Sequence, residues 1–149
     1  MQNKHKIFAY QNNSNKPRRK ILPVFLPFAG CANRCIYCNQ HAIANTAGAE
    51  SLLLSAGEQI DKWKNISPDW DELAFYGGTF GNLPADIRKA LYLLADGLGI
   101  RYSTCPETVS DELAAEMSVY NITTVELGVQ SFSDNVRAAN KRGYRQKDS

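Results

Sequence analysis

From Ile21 onward two hydrophobic periods alternate along the chain: short dense apolar runs that suit strands, and a spacing of three to four that suits helices. Ile21 to Phe28 (ILPVFLPF) is the first predicted strand and ends in a Gly-containing, Cys-rich loop. Leu52, Leu53, Ala56, Ile60 and Trp63 recur at helical spacing and predict a helix from about Glu50 to Lys64, closed by a turn over Asn65 to Pro68. Asp71 to Tyr76 (DELAFY) is the second strand, running into Gly77, Gly78 and Thr79. Pro84 fits the first turn of a second helix with the stripe Ile87, Leu91, Leu94 and Leu98, ended by Gly97 and Gly99. Ile100 to Thr104 is the third strand. Ser110 caps a third helix, with Asp111 and Glu112 at its positive end and Leu113, Met117 and Tyr120 on one face. Ile122 to Gln130 (ITTVELGVQ) is the fourth strand, and Ser133 caps a last helix that ends near Gly143.

Strands separated by helices run parallel, so four βα units predict an α/β fold, either an open sheet or part of a (β/α) barrel. Both architectures place chemistry at the C-terminal ends of the strands. There the sequence puts the cysteine loop, Gly77 and Gly78, Cys105 and Pro106, and Gln130 and Ser131, which should converge on one rim.

Composition narrows the class. With 149 residues, 44% of them hydrophobic and 21% charged, the chain can bury one core and is not a disordered polypeptide. No apolar run approaches the roughly 18 residues that cross a bilayer, and the N-terminus lacks the apolar stretch of a signal peptide, so a cytoplasmic protein without membrane contact is expected. Residues 1–20 hold six bases and no acid, and the segment from Arg137 onward adds five bases against Asp134's successor acid, Asp148, alone. The division expected is a basic N-terminal arm over 1–20 and a core domain over 21–149. Such ends are either solvated tails or contacts for RNA phosphates.

Cys31, Cys35 and Cys38 form CxxxCxxC within GCANRCIYCNQ. Three thiolates from eight consecutive residues suit iron, and the short spacers wrap the loop around a small cluster. A closed zinc site wants a fourth ligand, and His5, His41 and Cys105 form no second pair; a structural zinc with His41 and simple buried thiols are the alternatives. Three protein ligands on four irons leave one iron open to a ligand. Gly77-Gly78 by itself would be a plain turn.

The cysteine motif with Tyr37 before its last cysteine, placed after a first strand, resembles the signature of the radical S-adenosylmethionine superfamily. Gly77-Gly78-Thr79-Phe80 resembles that family's glycine motif, and Glu126-Leu127-Gly128-Val129-Gln130-Ser131-Phe132 its strand-four segment. Together with the closing Arg142-Gly143-Tyr144, these are most similar to the Elongator catalytic subunit and its bacterial relatives, and more distantly to oxygen-independent coproporphyrinogen oxidase. The resemblance implies a partial (β/α) barrel of the radical SAM type, with about four of the usual six βα units. It implies that Cys31, Cys35 and Cys38 ligate three irons of a [4Fe-4S] cluster whose fourth iron is chelated by S-adenosyl-L-methionine. Electron transfer from an external donor such as ferredoxin or flavodoxin would then yield a 5′-deoxyadenosyl radical, with tRNA wobble-uridine modification as the purpose. Tyr37 would pack beside the adenine, and Gly77, Gly78 and Thr79 would offer backbone groups to the cofactor's amino group. A catalytically incompetent cluster-binding fragment is the rival expectation.

Strand alternation places Glu126, Gly128 and Gln130 on one face and Val125, Leu127 and Val129 on the other. The apolar set should pack under helices, leaving Glu126 and Gln130 as candidate cofactor-pocket residues; core hydrogen bonding is the plainer role for both. Arg101, Ser103 and Cys105 share a face in the same way. The family pattern after strand three usually reads Ser-Thr-Arg-Pro-Asp, whereas Ser103-Thr104-Cys105-Pro106-Glu107 lacks an arginine to engage an anionic group, and Cys105 is not carried over as a cluster ligand. Four units in place of six predict an exposed fourth-strand edge, and a truncated chain or a partner chain that completes the barrel.

Overall fold

The structure is a computed structural model that describes residues 18–32, 35–38 and 48–142. Strands β1 (Ile21–Phe25), β2 (Glu72–Tyr76), β3 (Gly99–Thr104) and β4 (Ile122–Leu127) alternate with helices α1 (Ala49–Ile66), α2 (Ala85–Leu93), α3 (Asp111–Val119) and α4 (Asp134–Ala139). The four strands form one parallel sheet in the order β1-β2-β3-β4. A sheet that adds each strand beside its predecessor is built like a barrel segment, whereas a doubly wound sheet reverses at a switch point. The α/β expectation is met, and the choice between its two forms falls to the partial barrel.

The register lines up Leu22, Leu73 and Ile100 across the sheet, then Val24, Phe75 and Tyr102. These β-branched, aliphatic and aromatic side chains pack in the core with Ala56 and Ile60 of α1, Leu91 and Tyr92 of α2, and Leu113 of α3. The opposite face carries Glu72, Ala74, Arg101, Ser103 and Glu126, polar except for Ala74. Ser110 caps α3 as expected, its Oγ accepting from Leu113 N–H at 3.2 Å.

Several boundaries move. β1 stops at Phe25, short of the predicted Phe28, because the chain turns at Pro27 and Phe28 adopts φ 54°. β4 stops at Leu127, and Gln130 takes φ 66°, so strand alternation does not extend to Gly128, Val129 and Gln130. Leu127 is 48% exposed and faces the cavity described below, where the alternation predicted a place under the helices. Met117 is 46% exposed, outside the core that Leu113 joins, and Ser133 precedes α4 without a side-chain cap bond. That helix ends at Ala139, and Gly143 lies outside the described residues. Most of the predicted basic arm also lies outside them. Its last residues are tied to the body: Arg19 pairs with Glu72, and the Lys20 N–H donates to Asp71 Oδ2 at 2.6 Å. Among the described residues no helix is long and apolar enough to cross a membrane.

Candidate active site

The loops that leave the C-terminal ends of the strands are bonded to one another. Phe28 N–H donates to Gly77 C=O at 2.7 Å and Thr79 N–H to Ala29 C=O at 2.8 Å, joining the cysteine loop to the glycine motif. Asn82 Nδ2 donates to Gly30 C=O at 2.7 Å. The approach is so close that a Cβ on Gly78 would lie 2.3 Å from Ala29 O, and one on Gly30 would lie 2.3 Å from Thr79 O. Only glycine permits two backbones to meet at this distance. Phe80 anchors the motif from below, stacking on Phe75 and Tyr102 with ring centroids 5.1 and 4.7 Å apart. From β3, Thr104 Oγ1 accepts from Gly81 N–H at 3.1 Å and meets Thr108 Oγ1 at 2.7 Å.

These loops surround a cavity of about 770 Å³. The volume suits a cofactor-sized ligand. Cys31, Cys35, Tyr37 and Cys38 line it together with Gly77, Gly78, Thr79, Glu126 and Gln130, so every residue singled out in the sequence for cluster or cofactor binding meets at one place. All three motif cysteines are free thiols. Cys31 Sγ lies 3.4 Å from Thr79 Oγ1, and Cys35 Sγ accepts from Arg142 Nη1 at 3.5 Å. The glycine motif does structural work that spacing alone does not reveal: Gly77 C=O and Thr79 N–H are spent on holding the cysteine loop. Desolvation and the neighbouring Cys35 thiol push the Tyr37 phenol up to about 12.

Cys105 also reaches the cavity wall, buried just beyond the end of β3. Burial first, and then its hydrogen bond with Glu107, push its thiol up to about 12. The arginine missing at that position has a counterpart from elsewhere in the chain. Arg142, just after α4, enters the cavity, donating to Gly128 C=O through Nη2 at 2.5 Å and facing Cys35. The position after β3 still lacks an arginine, and the guanidinium in the cavity comes from the segment after α4. In the sequence Arg142 reads as one of several terminal bases, and only its place in the Arg142-Gly143-Tyr144 resemblance marked it.

Among the described residues no group of three or more His, Cys, Asp or Glu side chains converges as the ligands of a single metal ion do. His41, the fourth ligand of the zinc alternative, lies outside those residues. A four-iron cluster makes a different demand, because each iron takes its own thiolate and the sulfurs spread around the cluster. Three free thiols that line one cavity, with the Arg142 guanidinium beside Cys35, fit that donor set.

The profile of the radical SAM superfamily matches residues 25–149. No curated protein matches the chain. A match over that span, on a chain whose strand order and rim agree with it, makes this protein a member of the radical SAM superfamily.

Proposed function

We propose that the cavity binds a [4Fe-4S] cluster through Cys31, Cys35 and Cys38 and holds S-adenosyl-L-methionine beside it. The observation that carries this reading is the common lining of one 770 Å³ cavity by the three free cysteines, the glycine motif and Glu126. When bound, the pair supplies reductive cleavage of the sulfonium to a 5′-deoxyadenosyl radical. The chain's own residues bind and orient. Arg142 sets a fixed positive charge against Cys35, Glu126 offers hydrogen-bond acceptors on the sheet side, and Tyr37 gives an aromatic face at the mouth. The electron comes from an external donor of the ferredoxin or flavodoxin type. A narrower reading, tRNA wobble-uridine modification, is supported by the motif combination shared with the Elongator catalytic subunit and its bacterial relatives.

Anaerobic reconstitution with iron and sulfide tests the reading. The chain should gain the broad visible absorption of a [4Fe-4S] centre, and Cys31→Ala, Cys35→Ala or Cys38→Ala should abolish it, since each removes the only protein ligand of one iron. Cys105→Ala should retain it. With dithionite and S-adenosyl-L-methionine, chromatography should detect 5′-deoxyadenosine, and nucleoside analysis of added tRNA tests the narrower reading. Bound zinc without acid-labile sulfide would overturn the cluster.

A further inference from the structure

A chain of charges crosses the lumen face of the sheet behind the cavity. Glu72 is fully buried there and accepts from three donors: Arg19, Arg101 Nε at 3.0 Å and Thr123 Oγ1 at 2.7 Å. The third donor exists because the β3–β4 register slips. Ile100 pairs with Ile122 but Arg101 with Thr124, which leaves Thr123 as an extra residue whose hydroxyl bonds Glu72 and Ile100 C=O. Burial alone would push the Glu72 carboxyl up, and the hydrogen bonds from Thr123, Arg19 and Arg101 outweigh it and hold it below the usual carboxylate range. Arg101 is thereby gripped at Nε. Its Nη1 reaches across to Glu126 Oε1 at 2.7 Å, while Ser103 Oγ donates to Glu126 Oε2 at 2.9 Å. Each oxygen of Glu126 is thus held by a separate donor on β3. Glu126 lines the cavity and Arg101 does not.

We propose that Arg101 is a positioning residue for the ligand of this cavity: clamped by Glu72, it holds Glu126 in one orientation, so that the remaining lone pairs of Glu126 meet hydrogen-bond donors of an S-adenosyl-L-methionine-class molecule. A long carboxylate side chain left to itself samples many rotamers, and a site that must fix its ligand closely needs them reduced to one. The planar guanidinium is suited to the task because its fork bridges two carboxylates at once, which a lysine ammonium on a flexible stem does not. Arg101 and Glu126 form part of one network with Glu72, so the β4 residue is oriented from β2 through β3. This inference rests on the proposed function of the cavity.

The test is calorimetric binding of S-adenosylhomocysteine to the anaerobically reconstituted full chain, with the visible cluster absorption and a thermal melt recorded on the same samples. Arg101→Met should weaken binding about 10-fold or more with the cluster absorption kept, and Arg101→Lys, which retains the charge and one contact, should recover part of the loss. Arg101→Met also takes from the buried Glu72 carboxylate one of its two arginine partners and leaves it Arg19, so Glu72→Gln/Arg101→Met provides a version without that buried charge and with the same expected loss of binding. Ser103→Ala removes one of the two bonds to Glu126, and should weaken binding several-fold with an unchanged melt. Ser103 lines the cavity itself, so if both methionine variants lose the cluster Arg101→Lys decides, a several-fold loss of binding being expected. Wild-type affinity in the folded variants overturns the positioning role and leaves the cavity reading standing. A reconstituted wild type that does not bind S-adenosylhomocysteine overturns the cavity reading, and the positioning role with it.

Discussion

Arg88 and Glu116 are charged side chains that the core has taken in, each 6% exposed. Arg88 Nε and Nη2 donate to the two Glu116 oxygens at 3.0 and 2.6 Å, its Nη1 donates to Leu83 C=O, and Tyr92 OH donates to Glu116 Oε2 at 2.9 Å. The pair fastens α2 to α3. Burial by itself would raise the Glu116 carboxyl, and the hydrogen bonds from Arg88 and Tyr92 outweigh it and hold the group below the ordinary carboxylate range. A carboxyl whose pKa is depressed by folding contributes stability that is present above its unfolded pKa of about 4.3 and is lost as pH falls through the folded value. Urea unfolding from pH 7 to pH 3 should therefore show stability falling at the acid end, less steeply in Glu116→Gln. Glu72, depressed in the same direction, keeps the slope from vanishing. Arg88→Met, which strands Glu116, should cost about 3–5 kcal/mol at pH 7. An acid limb of unchanged steepness in Glu116→Gln would show that this pair does not govern acid stability. The sequence hid the pair because helical periodicity marks only the apolar stripe; Arg88 sits beside Ile87, and its partner is 28 positions away.

Among the elements, the cysteine loop and the glycine motif were each legible because their residues are contiguous, and their dependence on each other was not. Phe28 and Ala29 bond to Gly77 and Thr79 across the gap between β1 and β2, a relation that appears only when the two parallel strands are brought into register. The same reason hid the clamp on Glu126: its partner Arg101 is 25 positions back in the chain, and the slip at Thr123 that completes the Glu72 site has no local signal. Strand ends moved where a single residue left extended geometry, as Phe28 and Gln130 do with positive φ. The close approach of the loops makes Gly78 a test of their coupling. In Gly78→Ala the new methyl would fall 2.3 Å from a backbone oxygen that cannot swing aside, so the cysteine loop must shift. A cost of about 1–3 kcal/mol is expected, together with a lower yield of reconstituted cluster, read from the melt and the visible absorption. Full cluster yield in this variant would mean that the loop holds its shape without the glycine contact.

Across the whole molecule, the sheet grades from a covered centre to a bare side. Four of the five β2 residues are buried and none of the six in β4 is, and among the described residues β4 pairs only with β3. The order of four βα units and the rim were readable from periodicity because strand and helix signals alternate cleanly. The exposed fourth strand was expected from the same count, although Leu127 was not placed on its open side. Leu127, Phe132 and Val136 now stand exposed along or just beyond that strand. An unpaired parallel edge with apolar neighbours invites strand pairing between copies, and a lysine on the edge opposes it through charge and hydration. The chain should accordingly self-associate as its concentration rises, and sedimentation velocity should show the larger species diminished in Leu127→Lys. Because Leu127 also borders the cavity, Phe132→Ser supplies a second variant that removes apolar surface without touching the cavity lining, and it should act in the same direction. A wild-type chain that stays monomeric at every concentration would show that the bare strand is protected by its own twist or by other parts of the chain.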